Sequence, residues 1–172
     1  MQRMVGKHCA HSWGELPLPV HNVLLCLGAA PNGVEQARAF LAHTAADVAA
    51  CNQAIVDYPG ALFLAGSLHS NLLSGWVARR SFRGNRPCVV GSDIAEGVDV
   101  VVGFNKAVGS SGMYLALLGG LMGYSRIVLA GITMEREGEE PYRKIWRAAR
   151  EQGALKNVES LSGGWLGALL AA

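Results

Sequence analysis

The stretch Gly109–Gly131, GSSGMYLALLGGLMGYSRIVLAG, decides the fold. A glycine–serine turn opens it, an apolar block of helical length follows, a GY break ends that block, and RIVLAG closes it as a short continuous apolar run. Such a run suits a strand buried on both faces. The block before it is predicted as a helix over roughly Gly112–Met122. A helix feeding a doubly buried strand is a repeating part of a mostly parallel sheet covered on both sides. Gly119, Gly120 and Gly123 would let that helix lie close against the sheet, despite about 1 kcal/mol lost per interior glycine.

The same order of parts recurs on either side. VLLCLG, Val23–Gly28, reads as a buried strand; AAPNG turns the chain; VEQARAFLAHT spaces Val34, Ala37, Phe40 and Leu41 at helical intervals. DVAAC (Asp47–Cys51), ALFLAG (Ala61–Gly66), PCVVG (Pro87–Gly91) and VDVVVG (Val98–Gly103) are further strands, and NLLSGWVARRSF (Asn71–Phe82) is helical with a weak spot at Gly75. Downstream, a polar helix over Pro141–Gln152 starts with proline where the first turn accepts it, and NVESLSGGWLGALL gives a last short strand and a small terminal helix. Residues 1 to about 20 mix polar groups with PLPV and lack a period, so they read as an N-terminal arm. The expectation is a single α/β domain over 21–172, a mostly parallel sheet with helices on both faces.

Bulk properties agree with one compact domain: 172 residues, 51% hydrophobic, 16% charged and a formal charge of +2. That charge is too small to argue for nucleic acid, and the basic cluster Arg79, Arg80, Arg83 and Arg86 reads as a solvated helix end. The four cysteines, Cys9, Cys26, Cys51 and Cys88, show no CxxC spacing, and no apolar stretch of signal-peptide length opens the chain, which points to the cytoplasm. The block Met113–Met122 is shorter than the roughly 20 residues that cross a bilayer, so no membrane partner is expected. KHCAHSW offers His8, Cys9 and His11, which reads as arm rather than as a metal site. The tail residues Trp165, Leu166 and Leu169 read as exposed, free to pack on the domain or on a second copy, and the open edges of a small sheet tilt the expectation towards a homodimer.

In open parallel sheets a ligand lies outside the carboxyl ends of the strands. That rule selects Gly28, Ala29, Ala30, Pro31 and Asn32 after the first strand, Asn52 and Gln53 after the second, and Ser67 and His69 after the third. It adds Ser110, Ser111 and Gly112 at the helix start, Thr133 after IVLAG, and Ser162 near the end. GSSG before a helix exposes bare N–H groups to a phosphate or carboxylate; the plainer role for Ser110 or Ser111 is an N-cap. GAAPNG is neither GxGxxG nor a Walker A loop. His69 is the best single general acid or base, because imidazole titrates near neutral pH. Asp57, Asp93 and Glu135 are scattered carboxylates without paired spacing, so no protein metal site is expected, and Mg2+ would enter only with a nucleotide.

VLLCLGAAPNG, DVAACNQAI and SSGMYLALLGGLMGYSRIVLAGITM together resemble a Rossmann-like superfamily. It contains bacterial sialyltransferases, motility accessory factors and archaeal 6-hydroxymethylpterin diphosphokinase-like domains, and small phage and prophage proteins look similar. The resemblance covers about residues 23–135. In the sialyltransferase branch the first loop reads G-N-G-P-S, the second strand ends in C-N, and a T/S-S-G turn precedes the helix, all around a cytidine sugar nucleotide. Gly28, Pro31, Asn52, Ser110, Ser111 and Gly112 match; Ala29, Ala30 and Asn32 stand where that branch has asparagine, glycine and serine. The resemblance therefore implies a nucleotide-type ligand, as a small glycosyl- or phosphoryl-transferase or as a non-catalytic binder, and does not imply cytidine or a full sialyltransferase.

Overall fold

The computed structural model describes residues 9–80, 84–105 and 107–172. Strands β1 (Cys9–Trp13), β2 (Val23–Leu27), β3 (Asp47–Ala50), β4 (Leu64–Ser67), β5 (Cys88–Gly91), β6 (Val100–Phe104), β7 (Arg126–Ala130) and β8 (Val158–Ser160) form one sheet. Its spatial order is β1-β6-β5-β4-β3-β2-β7-β8. All neighbours are parallel except β1, which pairs antiparallel with β6. Part of the segment read as an arm thus supplies an edge strand. Its sequence, CAHSW, has neither an apolar run nor strict alternation, so its pairing left no periodic signal.

Period-two alternation explains the two covered faces. On β2, Leu24 and Cys26 point to one core and Leu25 and Leu27 to the other, all four fully buried. The helices α1 (Gly33–Leu41), α2 (Ala54–Asp57) and α3 (Ser70–Ala78) supply Ala37, Ile55 and Leu73 to one core. The opposite core takes Leu115, Trp146 and Leu166 from α4 (Ser111–Met122), α5 (Glu140–Glu151) and α6 (Gly164–Ala171). Among the described residues no helix is long and apolar enough to cross a membrane.

The chain winds outward from β2 through β3, β4, β5 and β6, and α4 then returns it to β7 on the other side of β2. The order of strands reverses there, so the loops after β2 and β7 leave towards opposite faces and open a crevice between them.

Helix α4 is held low over the sheet by two glycines. A methyl group on Gly119 would lie 2.8 Å from Leu24 Cδ2, and one on Gly66 of β4 would lie 2.6 Å from Leu115 Cδ2. Gly120 plays no such part, since nothing lies within 4 Å of where its Cβ would be. Gly123 ends the helix instead, at φ 87°, with Tyr124 N–H donating to the Gly119 carbonyl at 3.1 Å. The tail packs on the domain, one of the two options the sequence left open: Leu166 is fully buried and not exposed, Trp165 and Leu169 pack against the core, and Arg143 and Arg147 lie 5.5 and 5.9 Å over the Trp165 ring.

Candidate functional site

Three glycines shape the crevice. Gly28 follows β2, Gly33 opens α1 and Gly131 follows β7 at φ 65°. A methyl group on Gly28 would lie 2.5 Å from the Gly131 carbonyl oxygen, and one on Gly131 would lie 2.7 Å from Gly33 Cα. Backbone crosses backbone at this point, and the crossing is pinned by Gly28 N–H to the Ala130 carbonyl at 2.8 Å and Ala30 N–H to the Gly131 carbonyl at 3.1 Å. These glycines serve the crossing of two loops, and the Ala30 N–H is taken up in it.

Beside the crossing lies a cleft of about 330 Å³. Four segments meet in it: Gly28, Ala29 and Ala30; Asn52 with Cys51; His69 with Leu68; and Ser110, Ser111 and Gly112. Thr133 completes the wall from the loop after β7. Ile132 wedges between the first loop and α4, close enough that methyl groups on Gly28 and Gly112 would lie 2.5 and 2.8 Å from its side chain.

Ser111 and Asn52 on the cleft are joined by Ser67 beneath it into one directed chain. Ser67 Oγ has one hydrogen, which goes to Asn52 Oδ1, so the 3.1 Å bond between the two serines is donated by Ser111, whose Oγ also accepts from Leu68 N–H at 3.3 Å. Ser67 Oγ, fully buried, also accepts from His69 N–H at 3.0 Å and donates to Asn52 Oδ1 at 2.7 Å. The relay fixes the Asn52 carboxamide with its oxygen inward and its NH2 as a donor on the cleft side. Asn52 itself sits at φ 55°, a left-handed conformation that asparagine tolerates better than most residues.

The start of α4 has a divided role. Ser110 Oγ accepts from Met113 N–H and from Trp146 Nε1, each at 3.2 Å, which makes it the N-cap. Tyr114 N–H takes the Ser110 carbonyl at 2.9 Å. The N–H groups of Ser111 and Gly112 have no partner among the described residues, and both residues line the cleft. They are the bare donors that a helix N-terminus offers to an anion. Thus the serine hydroxyls hold the turn and the backbone faces the cleft.

Pro31, Asn32, Gln53, Ser67 and Ser162 do not line the cleft. Pro31 and Asn32 are exposed where α1 begins, and Gln53 donates to Asp57 on its own helix at 2.8 Å. Ser67 acts from beneath, through the relay. Ser162 Oγ donates to Gln36 Oε1 at 2.8 Å and accepts from Gly131 N–H at 3.0 Å, locking the end of β7 on the far side. Arg136, Glu139 and Tyr142 line the cleft although the strand-end rule did not reach them, because they lie beyond the first turn after β7.

His69 stands exposed at the rim, and its ring takes no hydrogen bond among the described residues. Burial pushes the Cys51 thiol up to about 12, so it is an inert part of the floor and not a nucleophile. Asp57, Asp93 and Glu135 do not converge: Asp57 meets Gln53, Asp93 accepts from Ile94 N–H at 2.8 Å, and Glu135 accepts from Trp165 N–H at 3.3 Å at the start of α6. Among the described residues no three potential ligands form a metal group; His8 and Arg83 lie outside them. The cleft's carboxylate, Glu139, already accepts from Arg136 N–H at 2.7 Å. Magnesium would therefore depend on ligand phosphates and not on a carboxylate cage.

No family model, curated protein or solved structure matches this chain.

Proposed function

We propose that the chain is a Rossmann-like, nucleotide-binding domain whose ligand, a nucleotide or nucleotide sugar, lies in the cleft between the ends of β2, β3, β4 and β7. The observation that carries this reading is the pair of unpartnered N–H groups at Ser111 and Gly112, opening onto the same cleft as the relay-fixed Asn52 carboxamide. A phosphate takes the α4 end, where the helix dipole and bare donors favour negative charge, and Arg136 supplies a full cation at the mouth. Asn52 orients the base or sugar. The reaction class is glycosyl or phosphoryl transfer, in which fixed dipoles stabilise charge on the leaving group and His69 carries the proton.

A second reading is a non-catalytic binder that sequesters a nucleotide-derived signal. The His69 ring favours it, since a general base is normally oriented by a third group and this one has none among the described residues. One experiment separates the two. Purified protein is incubated with a nucleotide and nucleotide-sugar panel, and melting temperature and product are followed together. Transfer predicts a thermal shift with turnover that His69→Ala abolishes while the shift remains. A shift with ligand recovered unchanged selects the binder. No shift with any member removes both.

A further inference from the structure

A second concavity lies on the other side of α4. The sequence of α4, SGMYLALLGGLM, has no charged residue, and a helix apolar all round is normally covered all round. Here Leu117, Leu121 and Met122 are only half-buried, and Gly120 is exposed. Two adjoining cavities, of about 480 and 370 Å³, run along this uncovered side between α4 and α5. They share Phe104, Leu117 and Ala154, so they form one groove. It follows α4 from Met113 to Gly123, about 15 Å at 1.5 Å per residue.

Charge selects the occupant. Among the described residues the ionic side chains on the groove are Lys144 at one end and Lys156 at the other, with no carboxylate between them. Neither lysine belongs to the ion pairs formed among the described residues. A second copy docked here about a two-fold axis would bring the same cationic rim against itself. An apolar chain ending in one anion answers the walls and the cation at one end, and leaves the exposed lysine at the other end to water. We infer that the α4–α5 groove is a binding site for a single-chain aliphatic carboxylate, its tail along Leu117 and Ala148 and its head at Lys144, which lines the larger of the two cavities. The site is separate from the nucleotide cleft: Gly109 packs so closely on Ile145 that a methyl group there would lie 3.2 Å from Ile145 Cβ, walling one off from the other.

The test uses the full chain with dodecanoate, dodecylammonium and dodecanol, each below its micelle concentration, in calorimetry and native mass spectrometry. Dodecanoate is expected to bind one per chain, about tenfold or more tighter than dodecylammonium, and Lys144→Glu to weaken it about tenfold. Leu117→Trp, which fills the junction of the two cavities, is expected to abolish binding; Ala148→Leu serves the same purpose should the tryptophan variant not fold. Equal binding of all three amphiphiles, no binding of dodecanoate, or undiminished binding in the filled variants overturns the proposal. So does a dimer in native mass spectra that the filled variants split, since the groove would then hold a second copy.

Discussion

The polar side chains of this protein divide into those that face ligand space and those that hold backbone in place. Asp99 is of the second kind: Arg86 grips its carboxylate with two hydrogen bonds of 2.7 and 2.9 Å, and Val89 N–H adds a third at 2.8 Å. The guanidinium holds the Asp99 carboxyl below its usual range. Its contribution is complete above the unfolded carboxyl value of about 4 and disappears as pH falls below it. Tyr124 acts at the other limb: burial, with the Asp47 carboxylate accepting its hydroxyl at 2.7 Å, pushes its phenol well up. That contribution is complete below about pH 10 and is lost as pH rises past it. Urea midpoints from about pH 3 to about pH 11 should therefore fall at both ends. Asp99→Asn should flatten the acid limb at a neutral-pH cost of about 0.5–1 kcal/mol, the modest size being that of a partly exposed pair. An unchanged acid limb would remove Asp99 from this role. At this scale the sequence selects strand ends but not side-chain direction: Ser67 and Ser162 sit at two of those ends and turn inward, whereas Asn52 lines the cleft.

Elements were legible where their period was strong and hidden where it was weak. The strands buried on both faces announce themselves as apolar runs, and so does α4. Helix α2 is one turn, AIVD, too short to show a period, and β1 has none. The glycines of α4 look alike in sequence and differ in kind, because their surroundings are set by the sheet. This yields a pair of opposite expectations. Gly120→Ala should stabilise the protein by about 0.5–1 kcal/mol, since the added methyl meets nothing within 4 Å and the unfolded chain loses freedom. Gly123→Ala should destabilise by about 1–2 kcal/mol, because φ 87° is costly for any residue with a Cβ. Denaturant unfolding of the two variants checks the signs, and two shifts of the same sign would contradict this division of roles.

At the scale of the whole molecule, the alternation of strands and helices gave a mostly parallel sheet with two covered faces, but not the spatial order of the strands. That order is set by α4 returning the chain past β2, a long-range choice with no local mark, and it decides which loops become neighbours. It brings the end of β4 beside the start of α4, so that Ser67, in a strand, can pass a hydrogen bond between Ser111 and Asn52. The central claim is that this meeting of loops receives an anion on the backbone of α4. A titration of ¹⁵N-labelled protein with nucleoside phosphates, followed by amide spectra, tests it most directly. The account predicts that the Ser111 and Gly112 amides and the Asn52 side-chain NH2 shift together and saturate with one affinity. Saturating shifts confined to other parts of the molecule, or no shift with any nucleotide, would contradict it.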